Sequence, residues 1–206
     1  MKKAKISTVV MIVLVVALAI SIWQNISYAK ERNSARGLLM NQVHSSFRNI
    51  SLQLDGLIHN IDEMESDEYY RYSQRTIIQI SNNLVVADAL LSQYRGYFSD
   101  VRLDYGSTFS NFEYISYTLS GDGGTANDIV YESILQDPAI SEKEVRYLTA
   151  LRDDIESIYM AMESADSSPQ EDKNLTTAQL SVILNAFFDK WSPHNENSPF
   201  FLLIND

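Results

Sequence analysis

The side chains of this sequence that could do chemistry are few, and its three histidines come first. Asp55, His59 and Asp62 follow one another at i, i+4 and i+7, a spacing that places possible metal ligands on one face of a helix. His44 lies four turns earlier in the same stretch, and His194 lies in a loop flanked by prolines. No second segment supplies a matching ligand, so we predict no metal site and no cofactor.

Catalytic motifs are absent from the sequence. The chain has no cysteine, which removes disulfides and cysteine nucleophiles, and it has no G-x-S-x-G motif. The stretch SGDGGTAND, residues 120–128, has neither the preceding strand nor the following Lys-Ser/Thr of a phosphate loop, and it predicts a linker before a short helix capped by Thr125 or Asn127. Paired carboxylates for glycoside cleavage stay an open alternative, because any acidic helix carries them. We predict no catalytic residues and a protein that is not an enzyme.

Tyrosine is the one skewed residue type, with 12 copies beside 8 phenylalanines. Such aromatic residues could stack on sugar rings or receive a partner protein. The interpretation we favour is that most of them form the core of a helical bundle. The cluster consists of Tyr94, Tyr97, Phe98, Tyr105, Phe109, Phe112, Tyr114 and Tyr117.

Two heptad patterns predict the elements that must position these side chains. An apolar residue recurs every three or four positions from 40 to 64, and a similar pattern runs through residues 67–97. The acidic stretch DEMESDE at 62–68 between them predicts a solvated turn, with Asp67 and Glu68 at the positive end of the second helix. A parallel dimer would use the same seams, but the turn favours an antiparallel hairpin within one chain.

Further helices are predicted after this hairpin. Only 7 glycines and 4 prolines interrupt the chain, which favours long helices. A third helix is expected to end near residue 119. Two later helices begin at capping boxes, one formed by Ser141 with Glu144 and the other by Thr176 with Gln179. The fold class that we predict is therefore all-α, an antiparallel helical bundle of four to six helices.

The N-terminal segment predicts a membrane anchor. Lysines at positions 2, 3 and 5 precede the uncharged run Ile6–Trp23, which has about the length of roughly 20 residues that a bilayer-spanning helix needs. A cleaved signal peptide is the alternative, since SYA at 27–29 could be its cleavage site. A buried core helix is a third interpretation. We expect a single-pass protein of a bacterial cytoplasmic membrane, with its N-terminus inside and its body outside.

Three parts of the chain follow from these patterns. Residues 1–29 form the basic head and transmembrane anchor or signal peptide, 30–192 form the helical bundle, and 193–206 form the C-terminal tail. The tail ends in FFLLIND, which is too apolar to stay free in water, and we expect it to dock on the bundle or to mark a partner contact.

The charge of the body limits its partners. Residues 1–29 hold 3 of the 16 basic residues and no acidic residue, so the body has 13 basic and 27 acidic residues, a net charge of −14. Nucleic acid is excluded as a partner, because its binding depends on lysine and arginine at the phosphates. The simplest interpretation of this acidity, and the one we favour, is that it only keeps the protein soluble.

Two stretches resemble the N-terminal part of YpeB-type spore germination proteins. They are KERNSARGLLMNQVHSSFRNISLQLDGLI at 30–58, after the anchor, and FEYISYTLS with ISEKEVRYLTALRDDIESIY at 112–120 and 140–159. The resemblance implies an anchor helix, an extracytoplasmic helical domain and a non-catalytic role in support of a cell-wall hydrolase. The chain departs from that family in one respect, because it ends at Asp206 without PepSY-like repeats.

Function is therefore expected to be interaction rather than catalysis. We predict a membrane-anchored accessory protein with a protein partner in the cell envelope, supporting an envelope or spore-cortex hydrolase. The alternative is a ligand-sensing four-helix ectodomain that signals through a partner. An enzyme acting on the cell wall is the third hypothesis.

Overall fold

The computed structural model describes residues 2–61, 66–93, 111–121, 123–126, 129–136, 140–163 and 177–204, and this part of the chain is mostly helical, as predicted. The chain divides into two compact units, Met1–Leu39 and Met40–Asp206. The helices are α1 (Lys2–His59), α2 (Ser66–Gln93), α3 (Asn111–Ser120), α4 (Glu142–Met162) and α5 (Thr177–Lys190). The strands are β1 (Gly124–Ala126) and β2 (Ile129–Tyr131), and two 3₁₀ helices span Ile134–Gln136 and Pro199–Leu202.

The first unit is the N-terminal part of α1. Within the described residues, no helix has a stretch that is both long and apolar enough to cross a membrane. The side chains at positions 6–10, 12 and 13 of the predicted anchor lie outside the described residues. The transmembrane anchor therefore stays a prediction.

In the second unit, α1 and α2 form the predicted antiparallel hairpin. The Asn83 side-chain amide donates to Oε1 of Gln53 over 3.0 Å, and the Tyr69 hydroxyl donates to the carbonyl oxygen of Leu57 over 3.0 Å. Leu57 follows Gln53 in α1, whereas its partner Tyr69 precedes Asn83 in α2, so the two helices run antiparallel. The seam residues that are at most 4% exposed are Met40, Val43, Phe47, Ile50, Leu54 and Leu57 in α1, and Ser73, Ile77, Ile80, Leu84, Ala87 and Leu91 in α2.

Helices α2 and α3 approach each other closely at two serines. The Ser81 hydroxyl donates to the carbonyl oxygen of Ser116, and the Ser116 hydroxyl donates to that of Ser81, both over 3.3 Å. Each small side chain lets its hydroxyl reach the facing backbone, so that both polar groups are satisfied in a buried position.

Phe112 of α3 joins the centre of the bundle. Its ring centroid lies 5.7 Å from that of Phe47 on α1, 5.5 Å from Phe187 and 5.0 Å from Phe188 on α5. These distances are those of favourable aromatic pairs. A single ring therefore connects three helices that are far apart in the sequence.

The stretch after α3 differs from the prediction. The linker and short helix expected there, with Thr125 or Asn127 as cap, are wrong: β1 pairs antiparallel with β2, and Thr125 lies opposite Val130. The short 3₁₀ helix Ile134–Gln136 follows. The β-branched residues at 129 and 130 prefer a pleated strand, and this local preference outweighs the weak helical spacing.

Gly123 makes the entry to this hairpin possible. Its φ of 88° lies in the left-handed region, which glycine adopts without strain. A Cβ at this position would also collide with the carbonyl oxygen of Tyr131. Gly123 thus serves a turn rather than a flexible linker.

The predicted capping box at the start of α4 is confirmed. The backbone N–H of Ser141 donates to Oε2 of Glu144 over 2.6 Å, and the N–H of Glu144 donates to Oγ of Ser141 over 3.4 Å. These two bonds satisfy two donors at the helix start. The second predicted box includes Thr176, which lies outside the described residues.

Candidate functional site: two grooves beside the C-terminal segment

The C-terminal segment docks on the bundle through Phe200. This side chain is fully buried, and its ring lies 5.0 Å from Tyr114, 5.7 Å from Trp191 and 5.8 Å from Tyr147, measured between centroids. Pro199 at the first position of the 3₁₀ helix is compatible with its backbone geometry. The apolar tail is thus a packed element, and its position is determined by aromatic contacts with α3, α4 and the end of α5.

Asp154 connects the end of α5 to α4. The Trp191 indole Nε1–H donates to Oδ2 of Asp154 over 2.8 Å, and Nζ of Lys190 lies 2.7 Å from the same oxygen. Trp191 is fully buried, so its indole N–H needs this acceptor. These bonds hold the turn from which the C-terminal segment begins.

Two grooves lie on either side of that segment. The first, here called the α4–α5 groove, has a volume of about 460 Å³ and is lined by residues that include Arg146, Lys190, Glu196, Ser198, Phe201 and Leu202. The second, here called the hairpin groove, has a volume of about 840 Å³ and is lined by residues that include Val130, Glu132, Glu142, Lys143, Arg146 and Ile204. Both volumes fall in the range of ligand sites, about 300–1,000 Å³.

The side chains between the grooves are apolar and only partly covered. Residues 201–204 of the C-terminal segment are half-buried, and Val130 in β2 is 76% exposed. Partly exposed apolar side chains of this kind are typical of a surface that contacts another molecule. Arg146 on α4 lines both grooves and adds a positive charge at their junction.

A cluster of hydroxyl groups lies beneath this surface. The Thr118 Oγ1 and Tyr131 hydroxyl are 2.9 Å apart, and Tyr147 is fully buried. Burial raises the pKa of both Tyr131 and Tyr147 above the usual range of tyrosine. Both phenols therefore stay protonated at physiological pH, and they stabilise the docked segment rather than transfer protons.

The predicted aromatic cluster is described only from residue 112 onward. Phe112 is core, Tyr114 is half-buried against Phe200, and Tyr117 is 45% exposed. The other five members, between 94 and 109, lie outside the described residues. For Phe112 the structure agrees with the interpretation as core.

The three histidines lie apart from one another and from the grooves. His59 and His194 are exposed, whereas His44 is 5% exposed. Asp55 faces Arg152 of α4, with Oδ1 at 3.4 Å from Nη1. Asp62 lies outside the described residues, and within those that are described no group of three or more His, Asp or Glu side chains could hold a metal ion.

His44 is a titratable group whose burial the sequence pattern did not predict. Its ring lies on the flank of α1 that α4 covers, 6.0 Å from the Tyr159 ring, and its Nε2 lies 4.0 Å from Oε1 of Glu163. Burial lowers the pKa of His44, Glu163 opposes this shift, and Arg48 adds to it. The neutral imidazole is therefore the form that the folded protein accepts.

Stability should consequently fall on acidification. Because the folded-state pKa of His44 lies below the unfolded value of about 6.5, the unfolded chain binds the proton first. The contribution of neutral His44 to the free energy of unfolding is complete above pH 6.5 and is lost as the pH falls below that value. The free energy of unfolding then changes by at most about 1.4 kcal/mol per pH unit. Urea unfolding of the full chain between pH 5 and 8 measures this slope.

Two variants separate this effect from general acid destabilisation. We expect His44→Gln to flatten the dependence of unfolding free energy on pH between 5 and 7, whatever its effect on absolute stability. His194→Gln, at an exposed position, should leave the slope as it is. An unchanged slope in His44→Gln would contradict the assignment.

Comparison with known proteins adds no relative: no family model, no curated protein and no solved structure matches this chain. The class that the structure itself defines is an all-α bundle of five described helices with one small β-hairpin. The resemblance to YpeB-type proteins stays a prediction.

Proposed function

We propose that this protein is a non-catalytic accessory protein of the bacterial cell envelope, anchored in the cytoplasmic membrane by its N-terminal helix, with its body on the outer face. The partner that we propose is another envelope protein, in the first place a cell-wall or spore-cortex hydrolase, as the resemblance implies. Spore germination is one process in which such a pair acts.

One observation carries the anchored part of this proposal. In the N-terminal part of α1, apolar side chains on every side of the helix are at least half exposed. A helix that is apolar all round is stable only inside protein or lipid. The sequence extends the uncharged stretch back to Ile6. The side chains that are at least 50% exposed include Leu14, Val15, Val16, Leu18, Ile20 and Ile22.

The orientation rests on the charges around this stretch. The three lysines before it form a short basic head, which commonly stays in the cytoplasm. Trp23 and Tyr28, 68% and 69% exposed, follow at the positions where interfacial aromatic residues anchor a helix. The acidic body would then face away from the anionic lipid surface.

The partner-binding part of the proposal rests on the C-terminal surface. Its half-buried apolar residues, 201–204, are held by the fully buried Phe200, so they present a pre-ordered contact area. Pre-ordered surfaces lose less entropy on binding. The surface is thus suited to a protein partner more than to catalysis.

The test is a pull-down of the full-length protein from membranes of its native host, followed by mass spectrometry. We expect one envelope protein to be enriched at matched expression. Replacement of the anchor stretch by a cleavable signal peptide is the control, and it should release the protein from the membrane fraction. Recovery of this variant in the membrane pellet would contradict the anchor, and the absence of any enriched protein would contradict the accessory role.

The hairpin groove favours one second candidate, a ligand-sensing ectodomain that signals through a partner. Its volume of about 840 Å³ would hold a small molecule. A ligand at 100 times its Kd would stabilise the folded state by about 2.7 kcal/mol. A thermal-shift screen of the detergent-solubilised full chain tests this, and a ligand that raises the Tm would move the assignment towards sensing.

A further inference from the structure

Arg146 occupies a position that stability alone does not explain. It lies in the second turn of α4, near the end where the helix dipole favours acidic residues. Its side chain is exposed, and it forms no ion pair within the described part of the chain. Lys190, the other basic residue of the α4–α5 groove, is already paired with Asp154.

Ser198 also lines this groove. The residue is 2% exposed, and its hydroxyl has no hydrogen-bond partner in the described structure. A buried hydroxyl without a partner costs free energy, which makes it a feature to explain. Phe201 and Leu202 add apolar surface to the groove.

The charge of the body limits what this groove can receive. A net charge of −14 repels a partner rich in acidic residues, so a strongly acidic segment is excluded. The guanidinium of Arg146 has no ion-pair partner among the described residues, and it matches one carboxylate because arginine forms charge-assisted hydrogen bonds to that group. A single carboxylate beside an apolar side chain fits both constraints.

We propose that the α4–α5 groove binds a segment of the partner protein that presents one carboxylate next to an aliphatic or aromatic side chain. The carboxylate pairs with Arg146, and the apolar side chain packs against Phe201 and Leu202. This inference rests on the proposed function, since it specifies the contact that the partner makes.

Binding of the purified full chain to model peptides tests the inference. The probes are fluorophore-labelled, C-terminally amidated hexapeptides of glycine and serine with a central Leu-Asp or Phe-Asp pair, titrated by fluorescence polarisation, and the matched probes carry Asn in place of Asp. We expect the Asp peptides to bind up to about fivefold more tightly than the Asn peptides, the upper end for a charge pair at an exposed guanidinium. Arg146→Gln should remove this preference.

Two further variants serve as controls. Glu196→Gln removes an acid that lines the groove and should strengthen binding of the Asp peptides by about twofold, because surface charge pairs are weak. Arg71→Gln, on the exposed face of α2, should change nothing. Circular dichroism melts check that all three variants fold.

Several results would overturn the inference. They are the absence of binding by any peptide, equal binding of Asp and Asn peptides, and a binding loss in Arg71→Gln equal to that in Arg146→Gln. Light scattering measures whether the chain associates with itself. Self-association that Arg146→Gln abolishes would also overturn the inference, because it would assign the groove to a second copy of this chain. If wild type and Arg146→Gln recover the same envelope protein equally, the inference fails while the proposed function stands.

Discussion

Replacing Leu84 by aspartate should strongly destabilise the body of this protein. Leu84 is fully buried in the seam where α2 packs on α1. A carboxylate there has neither water nor a partner, and removal of the leucine also leaves a cavity, so we expect a loss of at least about 4 kcal/mol. Stabilities of small domains are about 5–15 kcal/mol, so this loss removes a large share of the free energy of unfolding and should lower the Tm strongly.

Far-UV circular dichroism and thermal melting of the full chain in detergent measure this effect. Val86→Asp is the matched control, because Val86 lies on the same helix and is 50% exposed. We expect the control to change stability by no more than about 0.5 kcal/mol. Similar melting curves for Leu84→Asp and the wild type would contradict the hairpin seam itself.

Replacing Phe112 by alanine should cost about 3–5 kcal/mol, the range for large aromatic residues in a core. The ring contacts Phe47, Phe187 and Phe188, so its removal loosens three helices together. Chemical denaturation of the full chain gives the free energy of unfolding directly.

A volume series distinguishes specific ring contacts from simple burial. Phe112→Leu keeps most of the apolar volume and loses the ring pairs, so we expect a cost between those of wild type and Phe112→Ala. Tyr117→Ala, on the same helix but 45% exposed, should cost much less. Equal costs for Phe112→Ala and Tyr117→Ala would show that α3 is not part of the core.

The consequences of these two variants for binding differ from those of Arg146→Gln. Leu84 and Phe112 are buried far from solvent, and they act on the grooves only through the stability of the bundle. Arg146 is exposed and is expected to act on binding with little effect on stability. A loss of partner binding at full stability is therefore diagnostic for Arg146 alone.

The helices and their buried faces follow from the residue pattern of each segment. The heptad positions of α1 and α2 that the structure describes are buried or half-buried, because a spacing of three and four residues places side chains on one helix face wherever that helix lies. The capping box of Ser141 and Glu144 was equally predictable, since its partners are three residues apart.

Contacts between distant residues depend on how the helices pack against one another. His44 is off the α1 seam, and it is buried because α4 packs on that flank. The hairpin of β1 and β2 depends on the backbone conformation of Gly123 and on the pairing of the two strands. Neither feature can be predicted from the spacing of apolar residues. The sequence indicated that the apolar tail docks or meets a partner, but it could not place Arg146 beside Phe201 and Leu202. Helical patterns report one face of one segment, whereas a groove is formed by segments that fold together from distant parts of the chain.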